Sequence, residues 1–209
     1  VEIRVDSGII NKWEKIWRLE KKWKTGSFKV INLEETNKKK IYILFGPKGS
    51  GKSYIGTIIE KHFDVKFLKV EKLIIDYCHK NKIDDYVLEK HGFPLEEQAL
   101  DNILLKENSV CFEATGSSIY LNEHLERLRS KYKLFLIKIH CPLEICYYRI
   151  AQRDQTEQIP VSDSRVRAIN EKASRVVLDW DLEIDNSGPA LIQDIILQFK
   201  GIWRASDKI

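Results

Sequence analysis

Apolar residues recur at helical spacing in residues 9–24, where Ile9, Trp13, Ile16, Trp17 and Trp23 fall near one stripe with lysine and glutamate opposite. The spacing predicts an amphipathic helix, which Gly26 could end. Residues 28–33 read as a short strand and Asn37 to Lys40 as a polar connector. From residue 41 the pattern changes: compact apolar runs at 41–45, 65–70, 109–114 and 133–140, and a short one at 182–185, read as strands. Helices are predicted between them: one ending near His62, a largely helical stretch over 71–106 broken near Gly92-Phe93-Pro94, one over 117–131, one opened by Pro142, one over 163–178 and a last one starting at Pro189. Residues 153–162 read as a polar loop. Strands alternating with helices predict an α/β fold, a parallel sheet covered on both faces. The organisation expected is an N-terminal helix and connector over residues 1–40 and one domain over residues 41–209.

The turn after the first of these strands reads Gly46-Pro47-Lys48-Gly49-Ser50-Gly51-Lys52-Ser53, which fits G-x-x-x-x-G-K-[ST], the phosphate-binding P-loop or Walker A pattern. Glycines let the backbone curl so that successive N–H groups converge on a phosphate, and the following helix, with Tyr54 in its first turn, aims its positive end at the same anion. Lys52 can reach the β- and γ-phosphates of ATP, and the Ser53 hydroxyl can ligate Mg²⁺. The motif follows a predicted strand and precedes a predicted helix, as that chemistry requires. The third strand carries Glu113 at its end, next to Ala114, and is followed by Thr115-Gly116. An acid at a strand end beside the P-loop is placed to hold a Mg²⁺-bound water or to take a proton from a substrate hydroxyl. A solvated strand-end carboxylate is the other reading.

Composition narrows the classes. The chain has 209 residues, 43% of them hydrophobic and 32% charged, with a net charge of +4, which does not by itself call for nucleic acid. No run approaches the roughly 20 apolar residues of a membrane helix, and no secretory signal is visible, so a cytoplasmic protein is expected. The four cysteines make no C-x-x-C pair, and neither a disulfide nor structural zinc is expected. Two strings typical of GTPases occur, Asn81-Lys82-Ile83-Asp84 and Asp185-Asn186-Ser187-Gly188, but in reversed order. A mechanical ATPase would bring a second helical domain and a strand ending in Asp-Glu, and this chain has neither.

The segment Gly46 to Gly56 resembles the P-loop of shikimate kinase, sharing a glycine three positions after Ser53. In element order the likeness runs over about residues 41–200 and extends to nucleoside monophosphate kinases. It implies a three-layer P-loop NTPase fold: a five-stranded parallel sheet, a helical acceptor-site insert and a mobile lid. It further implies ATP-dependent transfer of the γ-phosphate to a small metabolite or nucleotide. Arg149 and Arg153, four apart on a predicted helix, resemble the start of the lid in nucleotide kinases; the likeness assigns Arg149 to stacking on adenine and Arg153 to the transferring phosphates. In the resembling kinases the turn at Asn186, Ser187 and Gly188 packs on adenine, while an ordinary turn into a helix reads equally well. The sequence also departs from the family. Phe67-Leu68-Lys69-Val70-Glu71 stands where the family has F-x-D-x-D, and Pro94 where it has a substrate arginine. The competing reading is a non-kinase P-loop ATPase or nucleotide-binding interaction protein. The tryptophan helix is expected to pack on the domain, with homodimerisation as the next reading.

Overall fold

Strand β1 (Lys40–Phe45) explains the architecture, because its residues from Ile41 to Phe45 are all buried. Side chains alternate across a strand, so Tyr42 and Leu44 enter one core and Ile41, Ile43 and Phe45 enter another. A strand buried on both faces has to sit mid-sheet with helices on each side. In the computed structural model, which describes residues 38–82, 92–153, 161–188 and 191–205, β1 is the centre of a five-stranded sheet ordered β2-β3-β1-β4-β5. The other strands are β2 (Lys66–Leu68), β3 (Ser109–Ala114), β4 (Lys133–His140) and β5 (Leu182–Asp185), and every pairing is parallel. The described residues all fall within one unit, residues 37–209.

Helices α1 (Lys52–His62) and α7 (Ile192–Ala205) cover one face. There Tyr42 stacks on Phe135 with centroids 4.9 Å apart, and Phe199 closes on Tyr42 at 5.0 Å and on Phe63 at 4.7 Å. Helices α3 (Gly92–Leu104) and α4 (Leu121–Lys131) cover the other face through Leu100, Leu104, Leu125 and Leu128. The remaining helices are α2 (Val70–Asn81), α5 (Leu143–Ala151) and α6 (Asp163–Ser174). Gly56, singled out in the sequence, has a packing reason: a Cβ there would stand 2.3 Å from the Phe67 ring, so β2 and α1 can meet only over a bare backbone.

Several boundaries differ from those expected. The helix after β3 begins at Leu121, not at 117, because residues 115–120 are held in turns: Thr115 Oγ1 and Ser117 Oγ share a hydrogen bond at 2.9 Å, and the Tyr120 amide donates to Ser118 Oγ at 3.2 Å. Helix α6 ends at Ser174, and α7 begins at Ile192. The tryptophan helix, the strand expected at 28–33 and most of the polar loop at 153–162 lie outside the described residues. Among the described residues no helix is long and apolar enough to cross a membrane.

The aromatic cluster makes a direct test of the core. Phe199→Ala empties a fully buried site between α1, α7 and β1, and denaturant unfolding is expected to show a loss of about 3–5 kcal/mol. A loss under 1 kcal/mol would mean that this face of the sheet is not packed this way.

Candidate active site

The P-loop leaves the C-terminal end of β1 and runs into α1, whose first turn carries no acidic residue to compete for its positive end. Gly49 and Gly51 have φ of +86° and +93°, a region that side chains rarely adopt. Space forbids a side chain as well: a Cβ at Gly49 would stand 2.3 Å from the Cys146 carbonyl oxygen, and one at Gly51 would stand 2.1 Å from Asn186 Nδ2. Lys52 folds back over the loop, and its buried ammonium donates to the carbonyls of Gly46 and Pro47, each at 2.8 Å. Burial lowers its pKa from 10.5 to about 8, against the opposing pull of Glu113.

Side chains from distant parts of the chain hold the loop. Asn170 on α6, fully buried, receives the Lys48 amide on Oδ1 at 2.7 Å and donates Nδ2 to the Lys48 carbonyl at 3.0 Å. Asn186, just past β5, donates Nδ2 to the Ser50 carbonyl at 2.7 Å, while its own amide donates to His140 O at 2.9 Å. Lys48 Nζ pairs with Glu71 at 2.7 Å. Two carboxamides satisfying buried loop groups fix a backbone that has no regular ladder of its own. Ser50 Oγ is the one buried side-chain polar atom among the described residues that lacks a partner, so the loop's interior has hydrogen-bonding capacity its own residues do not fill.

Beside the loop opens a cavity of about 490 Å³. Ser53 Oγ donates to Glu113 Oε2 at 2.5 Å on its wall. The β1–β3 register, with Leu44 opposite Glu113, is what brings that strand-end acid to the mouth of the loop. A hydroxyl and a carboxylate oxygen are hard donors of the kind a small divalent cation takes. Thr115, Gly116, Arg153 and Arg165 also line the cavity. Arg149 does not line the cavity but stands beside the P-loop, its Nη1 3.9 Å from where a Cβ at Gly51 would be, with its guanidinium donating to Gly188 O at 3.4 Å and contacting Cys141 Sγ at 3.5 Å. The shared helical face expected for the two arginines is corrected: α5 ends at Ala151, so Arg153 follows the helix, its amide bonded to Ile150 O at 3.2 Å. Tyr54 is about half exposed on α1, and Ser187 caps its own turn through Asp185 Oδ1. All four cysteines are free and buried.

Sequence reasoning missed three polar residues. Asn170 sits on a helix that reads as surface, and nothing local marks its reach to Lys48. Glu96 and His124 were not assigned, yet both are buried on the cavity wall and bonded to each other at 2.8 Å. The only local signal was a glutamate and a histidine on the apolar faces of two helices, a pattern that fits a satisfied core histidine equally well.

Comparison with known proteins agrees with this geometry. A shikimate kinase of Xanthomonas euvesicatoria pv. vesicatoria is 25% identical over 174 residues, covering 78% of this chain and 94% of that one. The shikimate kinase of Acinetobacter baumannii in complex with shikimate superposes with a TM-score of 0.54 at 17% identity, over 85% of this chain and 99% of that one. A putative kinase from Chloroflexus aurantiacus superposes with a TM-score of 0.65 at 13% identity, over 81% and 98% respectively. The family model for shikimate kinase matches residues 48–191, from the P-loop lysine bonded to Glu71 to the threshold of the last helix. The chain therefore belongs to the shikimate kinase family, and it is an ATP-dependent small-molecule kinase.

Proposed function

We propose that this protein moves the γ-phosphoryl group of ATP, with Mg²⁺, to a hydroxyl of a small acceptor held in the cavity beside the P-loop. The observation that carries the reading is the meeting of Lys52, Ser53 and Glu113 at one rim of that cavity. ATP bound here supplies the phosphoryl group and an ADP leaving group. Lys52 turns its ammonium from the Gly46 and Pro47 carbonyls toward the β- and γ-phosphate oxygens and neutralises charge there. The loop amides of Gly49, Gly51, Lys52 and Ser53, with Tyr54 behind them in the first turn of α1, surround the β-phosphate. Ser53 and Glu113 would hold Mg²⁺, which would draw charge from the phosphate oxygens, and Glu113 would orient the acceptor hydroxyl and take up the proton it loses on transfer. Arg153 meets the transferring phosphates from the lid side. Arg149 stacks on adenine next to the backbone of Asn186, Ser187 and Gly188. The rate gain then comes mainly from positioning and fixed charge. We further propose a cytoplasmic location and an N-terminal unit over residues 1–40 whose tryptophans, on the second of the two readings of that helix, join two copies of the chain.

The kinase reading predicts ADP release that needs both Mg²⁺ and an acceptor, and a drop of at least about 100-fold in Lys52→Ala. Release that persists without an acceptor, or survives in that variant, would contradict it. Nucleotide phosphates raise the lowered pKa of Lys52, so binding takes up a proton once the free lysine has lost one. Affinity for MgADP is therefore expected to fall above pH about 8, approaching tenfold per unit. Calorimetry in buffers of different ionisation heat measures both the fall and the proton uptake; a flat profile from pH 7 to 10 contradicts the burial of this ammonium. Asn170→Ala leaves the Lys48 amide and carbonyl without their partner. It is expected to weaken MgADP binding about tenfold, with a stability loss of about 1–3 kcal/mol. Unchanged affinity would show that the clamp does not shape the loop. For the dimer, light scattering on the full chain is expected to give twice the monomer mass, falling to one in Trp13→Glu; a monomer at all concentrations rejects it.

A further inference from the structure

The lining of the cavity is divided by charge. The P-loop, the residues after α5 and helix α6 contribute Lys48, Lys52, Arg153, Arg165 and Lys172. Helices α2, α3 and α4 and the end of β3 contribute, among the described residues, Glu71, Glu96, Glu113 and His124 as titratable groups, with no lysine or arginine. Two of those acids are engaged at the phosphate end, Glu71 with Lys48 and Glu113 with Ser53. Glu96 is different. It is 6% exposed, it lines the cavity from the second turn of α3, and its Oε1 is bonded to His124 Nε2 at 2.8 Å.

This pair is built rather than incidental. His124 Nδ1 meets Glu97 Oε1 at 3.0 Å, and the same oxygen takes Arg127 Nε at 2.9 Å on the outer side. The Phe93 ring stacks on the imidazole with centroids 4.2 Å apart and planes at 19°. The imidazole is therefore held on both nitrogens and on one face, and it fixes the Glu96 carboxyl in turn. Burial already raises the proton affinity of Glu96, although the His124 hydrogen bond works against it. A second anion placed beside it would face a buried acid whose side-chain hydrogen-bond partner, among the described residues, is the His124 imidazole rather than a guanidinium. An O–H or N–H group would instead meet an acceptor held in place before it arrives.

We propose that the Glu96–His124 pair is a specificity-determining subsite that takes hydrogen bonds from a hydroxyl or amine of a non-anionic acceptor, a polyol or amino alcohol, and turns away acceptors bearing a carboxylate or phosphate. This rests on the kinase reading above and names its substrate class. Attraction to the donor and repulsion of the anion act together, as selective sites require.

Three probes of similar size and different charge test it: D-glucosamine, D-glucose and D-glucuronate. Their binding to the full chain saturated with MgADP is followed by saturation-transfer NMR. Glucose and glucosamine are expected to bind at least about tenfold more tightly than glucuronate. In Glu96→Gln the gap is expected to shrink to about threefold or less, with the ADP titration reporting that the variant is folded. If that variant does not fold, the wild-type ranking decides alone. Equal or tighter binding of glucuronate, no binding of any probe up to its highest soluble concentration, or an unchanged gap in folded Glu96→Gln overturns the proposal. Failure to bind MgADP at all would instead defeat the kinase reading, so the two failures are told apart.

Discussion

Holding a buried ammonium against the backbone of a glycine-rich turn is the constraint on which the rest of this structure depends. Lys52 lies almost fully out of water, and its charge is met by two main-chain carbonyls and by the field of Glu113. Its folded pKa lies below the unfolded value, so it opposes folding while it is charged. That penalty is full below pH about 8 and is relieved as the pH rises from there toward 10.5. A loop carrying such a charge on a glycine backbone free to adopt many conformations has no regular ladder to hold it. Asn170 and Asn186 hold it instead, each spending a buried carboxamide on the loop's main chain.

The same constraint explains why the sheet is needed. The loop is launched from the strand with the deepest burial on both faces, and Glu113 arrives from the strand beside it in fixed register. Asn186 arrives from the end of β5, an edge strand, and Asn170 from a helix packed over the loop. Four separate stretches of chain converge at one end of a parallel sheet, where ligand sites in such folds occur. The aromatic cluster of Tyr42, Phe63, Phe135 and Phe199 stands behind them and keeps α1 and α7 against the sheet.

Much of this was legible in the sequence, because the relevant signals are local. The strand runs from residue 41 onward, the P-loop and the strand-end position of Glu113 each depend on a few adjacent residues, and each emerged where expected except that the run at 65–70 gives a strand only over Lys66–Leu68 before α2 begins. What was hidden depends on tertiary contact. Arg153 was read onto a helix that stops two residues earlier, since nothing in the sequence between Ala151 and Arg153 announces the stop. Asn186 was read only as part of a turn near adenine, whereas its side chain is spent beneath Ser50. Asn170, Glu96 and His124 acquire meaning only from partners 122, 28 and 27 positions away in the chain.

The central claim is that the P-loop and the cavity beside it form one transfer site rather than a hydrolytic one. The most direct measurement is the fate of the terminal phosphorus of γ-labelled ATP in the presence of an acceptor mixture of polyols and amino alcohols. Label is expected in a small organic phosphate monoester, formed in step with ADP. Label recovered solely as inorganic phosphate, at a rate indifferent to the mixture, would contradict it.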